Sequence, residues 1–145
     1  AMKKNGGVVF VNFYPGYIDS TYSKKYDKVK TQFKFELDSL AKLYDPDSDL
    51  YWYKENELLE PNLAKIVPSV NAVIDHIDYI AKLIGVDHVG IGADWDGVEI
   101  LPNGIEDISK MPIITEKLID RGYSEIDVKK ILGGNFKRVF REVTR

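Results

Sequence analysis

Asp87-His88-Val89-Gly90-Ile91-Gly92-Ala93-Asp94-Trp95-Asp96-Gly97 begins as a β-strand and stops abruptly in two acids around a tryptophan. His88, Val89 and Ile91 suit a pleated strand, and Gly90 and Gly92 allow close approach of a neighbouring backbone. Sites in α/β enzymes sit at the carboxyl ends of the strands, so a buried strand that ends in carboxylates presents a candidate catalytic group. Asp-x-Asp-Gly is equally ordinary turn chemistry after a strand. Both readings stand at this point.

Upstream, Val70, Val73, Ile74, Ile77, Ile80, Ala81 and Ile84 recur at helical spacing. Ser69 is placed to cap this helix and Gly85 to close it. A further strand is expected over residues 5–14. Its core, Val8–Val11, is continuously apolar, which suggests burial on both faces as in a parallel sheet covered by helices. Pro15-Gly16 should end it. Strand, helix and strand then make a βαβ unit, expected to be parallel and right-handed.

The two strands are separated by a long excursion at about 19–68. Residues 17–26 read as a loop. Residues 27–44 read as one amphipathic helix, with Val29, Phe33, Leu37, Leu40, Ala41 and Tyr44 in register. Asp45-Pro46-Asp47-Ser48-Asp49 breaks it, a short helix comes next at 50–59, and Glu60-Pro61 to Pro68 reads as a second loop. Excursions of this kind tend to be lids or binding loops.

Downstream, a loop at 98–108 turns on Pro102-Asn103-Gly104, and a helix at 112–121 ends at Gly122. Ser124 and Asp127 open another helix, Gly133-Gly134 interrupts it, and a last helix carries Phe136, Val139, Phe140 and Val143 on one face.

The 145 residues suffice for one domain. Residues 1–2, Ala1-Met2, read as a tag remnant and start, and residues 3–145 as part of a single domain. A net charge of −3 without a basic block argues against a nucleic-acid surface. There is no cysteine, so no thiolate metal site, disulfide or cysteine nucleophile. No run approaches the ~20 apolar residues of a membrane span. Localisation is not legible. Two strands are too few for a sheet buried on both faces, so the missing strands are expected to belong to another piece of chain.

Five blocks resemble, in order, the C-terminal part of the membrane (renal) dipeptidases, peptidase family M19. They are Val11-Asn12-Phe13-Tyr14, Asp75-His76-Ile77-Asp78-Tyr79-Ile80, His88 to Gly97, Gly104-Ile105-Glu106-Asp107-Ile108-Ser109-Lys110, and Asn135-Phe136-Lys137-Arg138-Val139-Phe140. The resemblance implies a zinc-dependent dipeptidase on a (β/α)8 TIM barrel of the amidohydrolase type. This α/β chain would supply strands seven and eight with their helices, and be incomplete on its own. It implies two zinc ions in the parent, held by residues of a missing N-terminal barrel portion. Asp94 matches the family's aspartate after strand eight, which would handle the proton for a metal-bridged hydroxide attacking a dipeptide. Tyr17 matches a tyrosine near the substrate. Trp95 stands where the family commonly has phenylalanine, and Asp96 is assigned to the turn.

No metal ligand is assigned in this chain. His76 and His88 lie on separate elements, where a structural role outweighs ligation. Asp45, Asp47 and Asp49 imitate the opening of a calcium loop, but Pro46, Leu50 and Asn56 depart from its pattern. The cluster Tyr44, Tyr51, Trp52 and Tyr53 reads as packing within the excursion. The isolated chain is thus expected to be inactive and to self-associate through uncovered apolar edges. The competing reading is a non-catalytic, self-associating interaction module that retains part of the fold.

Overall fold

A computed structural model describes all 145 residues. A short helix, α1 (Met2–Asn5), precedes strand β1 (Val9–Asn12). Four helices come next: α2 (Pro15–Ile18), α3 (Tyr22–Gln32), α4 (Lys34–Leu43) and α5 (Asp49–Leu63). Helix α6 (Val70–Ile84) leads through a single 3₁₀ turn into strand β2 (Val89–Ala93). Helices α7 (Met111–Asp120), α8 (Glu125–Lys129) and α9 (Asn135–Val143) complete the chain.

β1 and β2 pair in parallel, with Val9 opposite Val89 and Phe10 opposite Gly90, so the fold is α/β with a two-stranded sheet and a majority of helix. The expected β-α-β order is present, with α6 as its helix. Val73, Ile74 and Ile77 of α6 are fully buried against Val11, Phe13, Val89 and Ala93 of the sheet region, joined by Ile114, Leu118 and Ile131. Burying a side chain of this size contributes about 1.5–3 kcal/mol. A second, small core under the excursion holds Val29, Leu59 and Leu63.

Sheet burial is one-sided, against the expectation of two buried faces. Phe10 is 43% exposed, and beside it Phe136 and Phe140 of α9 are 53% and 54% exposed. Their rings contact one another, Phe10 edge-on to Phe136 and Phe136 stacked on Phe140. The apolar pattern of Val8–Val11 is thus met on one face by α6 and left uncovered on the other.

Several expected boundaries are corrected. Residues 5–7 are not strand, because α1 ends at Asn5 and the chain turns at Gly6. Pro15 opens a helix rather than a loop: its missing N–H costs nothing in a first turn. The expected loop at 17–26 is therefore mostly α2 and α3. The single helix at 27–44 is two, parted at Phe33, whose φ of −101° and ψ of 18° leave helical geometry. α5 runs past the expected stop at 59, with Pro61 accommodated in its last turn. It starts at Asp49, one residue before the expected 50, capped by Ser48, whose Oγ accepts from the Tyr51 N–H at 3.2 Å. Asp45 and Asp47 form the turn before it, Asp45 Oδ1 accepting from the Asp47 N–H at 3.1 Å.

Asp19 joins α2 to α3. Its carboxylate accepts from the Thr21 hydroxyl at 2.7 Å, the Thr21 N–H at 2.8 Å and Lys25 Nζ at 3.0 Å. These hydrogen bonds, Thr21's first, hold its pKa at about 2. A depressed carboxylate stabilises the folded state above its ordinary value near 4, and this contribution is lost as the pH falls toward 2. Acid titration followed by circular dichroism should therefore show helix loss in that window. Asp19→Asn should flatten it, and an unchanged profile would remove Asp19 as the cause.

Candidate active site

Because β1 and β2 are parallel, the residues after each strand emerge at the same end of the sheet. Asn12, Phe13, Tyr14 and α2 leave β1 there, and Asp94-Trp95-Asp96-Gly97 leaves β2 there. The ladder closes with the Phe13 N–H donating to the Ala93 carbonyl at 3.0 Å. Ala93 and Asp94 then adopt φ of 39° and 75°, the left-handed region that ordinary side chains avoid. Backbone of this kind turns the chain sharply and exposes Asp94. It is the sort of local strain that clusters at functional sites. Gly97 closes the turn by donating to the Asp94 carbonyl at 3.3 Å. The Asp94 carboxylate lies so close to Gly97 that a Cβ there would collide with it.

The Asp94 carboxylate is not free to swing. Asn12 Nδ2 donates to Asp94 Oδ2 at 2.9 Å, and the Tyr14 N–H donates to Asn12 Oδ1 at 2.7 Å. The second bond determines which end of the Asn12 amide is oxygen, so its NH₂ must face Asp94. Asn12 lies at the end of β1, and sequence reasoning gave it no part beyond the strand. Its partner is 82 residues away, and no local spacing signals such a pair.

Tyr17 lies on α2, 70% exposed, with its ring edge-on to Tyr14 at 5.1 Å between centroids. Tyr14 also packs on Tyr22 at 6.0 Å, and Tyr22 on Tyr26 at 5.9 Å. A row of four tyrosines therefore runs from the mouth of the sheet into the excursion. Burial first, and then the Glu99 carboxylate, raise the pKa values of Tyr14, Tyr22 and Tyr26. Tyr22 is fully buried, and its hydroxyl has no hydrogen-bond partner.

Trp95 is a structural anchor. Its ring packs edge-on against Phe13 at 5.8 Å, and its indole Nε1–H donates to the Ile105 carbonyl at 3.2 Å. A phenylalanine would keep the first contact and lose the second. The loop it anchors is tied again where Asn103 exchanges backbone hydrogen bonds with Pro68 and Val70 at the start of α6. Asp96 is exposed in the turn.

The histidines stand apart. His76 Nε2 donates to the Ile18 carbonyl at 3.2 Å, and His88 Nδ1 donates to the Gly7 carbonyl at 2.8 Å. A carbonyl can only accept, so these contacts set each ring's tautomer. His88 lies at the amino end of β2, opposite Asp94. No group of three or more histidine, aspartate or glutamate side chains is arranged to hold a metal ion. A cavity of about 410 Å³ lies between α4 and α5, lined by Phe35, Leu40, Leu43 and Leu58, and includes none of the residues around Asp94.

Sites of α/β enzymes sit at the carboxyl ends of their parallel strands, which is where Asp94 lies. The family described as membrane dipeptidase (peptidase family M19) matches residues 1–145. The chain belongs to this family. It is 40% identical over 80 residues to dipeptidase 3 of Homo sapiens, which covers 55% of the chain and 16% of that protein. It is 40% identical over 107 residues to dipeptidase aclJ of Aspergillus oryzae, covering 68% of the chain and 25% of that protein. The solved structure of the probable dipeptidase PvdM from Pseudomonas aeruginosa superposes with a TM-score of 0.61 at 30% identity, over 94% of this chain and 37% of that one. The chain therefore spans a quarter or less of these curated relatives.

Proposed function

We propose that this chain is the C-terminal portion of a zinc-dependent dipeptidase barrel, with β1 and β2 as its seventh and eighth strands. The parent would hydrolyse the peptide bond of dipeptides. The observation that carries this reading is the clamped carboxylate of Asp94, at the carboxyl end of a parallel strand in a chain that matches the M19 family throughout. Asp94 takes the proton from the attacking water at a carboxylate oxygen and returns one to the leaving amine. Asn12 holds the carboxylate for that exchange. Tyr17, exposed on α2 at the same end of the sheet, would contact the dipeptide.

Zinc does not fit this chain's residues alone. His76 and His88 are engaged with backbone carbonyls on different elements, and no third ligand joins either. The ligands of both ions would come from the rest of the parent. Phe10, Phe136 and Phe140 support the same reading, as an apolar face that further strands and helices of a barrel would cover.

The test is an assay of dipeptide hydrolysis with added zinc, on the 145-residue chain and the full-length protein side by side. Activity in the full-length protein and none in the chain is expected, with the chain self-associating through its uncovered phenylalanines. Activity in the chain alone would overturn the reading and return His76 and His88 to consideration as ligands across an oligomer. Inactivity of both would favour the non-catalytic interaction module.

A further inference from the structure

Tyr14 touches both Tyr17 and the pair that contains Asp94. Its N–H donates to Asn12 Oδ1 at 2.7 Å, and Asn12 Nδ2 in turn donates to Asp94 Oδ2 at 2.9 Å. Its carbonyl accepts from the Tyr17 N–H at 2.9 Å. Its ring stands edge-on to the Tyr17 ring, 5.1 Å between centroids. The backbone of one residue thus fixes the amide that clamps Asp94, while its ring is the aromatic neighbour of Tyr17.

The Tyr14 ring is itself wedged in place. It packs edge-on to Tyr22, which is 6.0 Å away and fully buried at the start of α3. It also lies directly against Gly16, where a Cβ would come within 2.6 Å of Tyr14 Cε1 and 3.1 Å of its Cζ. Contacts this close leave a ring little room to change rotamer. Tyr17 has no such enclosure. It is exposed on a four-residue helix, too short to order itself. A side chain that must be ordered on binding costs affinity, and one held beforehand does not.

We propose that Tyr14 is a positioning residue: its ring, backed by Tyr22 of the excursion, holds Tyr17 ready for the substrate. The inference rests on the reading of Tyr17 as a substrate contact and of Asp94 as the base. It gives the start of the excursion a part in the site, as a fixed support behind Tyr17 rather than a lid. The Asn12–Asp94 pair depends on the Tyr14 backbone, which every substitution of its side chain except proline retains. The ring's contribution can therefore be read in KM, separately from kcat.

The full-length protein would be assayed for kcat and KM on a dipeptide. Tyr14→Leu removes the ring and should raise KM about threefold to tenfold with kcat within about twofold, the scale of one aromatic pair. Tyr14→Phe keeps the ring and should restore KM to within about twofold of the parent. Gly16→Ala is the sharper variant. Alanine suits a helix better than glycine, so the fold should persist, but the new Cβ must push the Tyr14 ring aside. Its KM should rise as in Tyr14→Leu. A residue that only supported the fold would lower the amount of active protein and leave KM alone. Fluorotyrosine labelling reads the ring directly by ¹⁹F NMR, with the Tyr17 resonance assigned through Tyr17→Phe. That resonance should move in both Tyr14→Leu and Gly16→Ala. A Tyr17 resonance that stays in place, or a KM unchanged in Gly16→Ala, overturns the proposal. A resonance that moves in a protein hydrolysing no dipeptide would keep Tyr14 as the support of Tyr17 and remove the hydrolytic reading instead.

Discussion

Asp94→Asn in the full-length protein is expected to lower turnover at least ~100-fold, equivalent to about 2.7 kcal/mol of transition-state stabilisation. The substitution tests chemistry rather than backbone. Asp94 has a φ of 75°, and asparagine is one of the few residues besides glycine that tolerates the left-handed region. Its amide oxygen can also still accept from Asn12 Nδ2. What it loses is a carboxylate oxygen that can act as the base of the reaction. The measurement is kcat and KM on a dipeptide, with circular dichroism to show that the fold persists. Turnover within a few-fold of the parent would remove Asp94 from the mechanism.

Asn135→Ala is expected to cost about 2–3 kcal/mol of folding stability. Asn135 is 2% exposed, and its Nδ2 donates to the Val86 carbonyl at 2.7 Å and the Val89 carbonyl at 2.9 Å. One side chain at the start of α9 thus satisfies two backbone acceptors on the way into β2, and removing it leaves both in need of a donor. Urea denaturation would measure the loss. Asn135→Asp retains the shape but turns the donor into an acceptor facing two carbonyls, so it should destabilise at least as much. A loss below about 0.5 kcal/mol, within the range of ordinary surface substitutions, would mean that α9 is held to the sheet by other contacts.

Much of this architecture was legible because it obeys local rules. The wide apolar face of α6 keeps a 3.6-residue period, and its packing against the sheet is the consequence. Ser124 is followed three residues later by an acid, and its Oγ does cap Asp127 N–H at 3.2 Å. Asp94 was recognisable as the residue at which a strand stops. Misjudged features were those in which one residue type serves opposite purposes. Proline read as a terminator at positions 15 and 61, yet Pro15 starts a helix and Pro61 is tolerated near the end of one. The split at Phe33 left no mark in the periodicity, because Val29 and Leu37 are buried on either side of it. Long-range polar ties were beyond local reading. Asn12 meets Asp94 across 82 residues, and Arg121 meets Asp75 at 2.7 Å and Asp78 at 2.6 Å across more than 40. Each of those residues looks like an ordinary polar position until the chain has folded.

The facing of Phe10 by Gly90 ties the variation of two distant positions together. A Cβ on Gly90 would lie 2.8 Å from Phe10 Cε1, and one on Gly92 would lie 3.2 Å from Phe10 Cβ. β1 therefore lends β2 the volume that β2 lacks, and the Phe136 ring beside Phe10 limits how far Phe10 can turn away. Two side chains cannot fill the same space, so a larger residue at 90 is best accommodated by a smaller one at 10. A library that randomises residue 90 alone should return little but glycine. One that randomises residues 10 and 90 together should also return pairs with a large side chain at 90 and a small one at 10. On this face of the sheet, positions 10 and 90 are expected to change as a pair although eighty residues separate them.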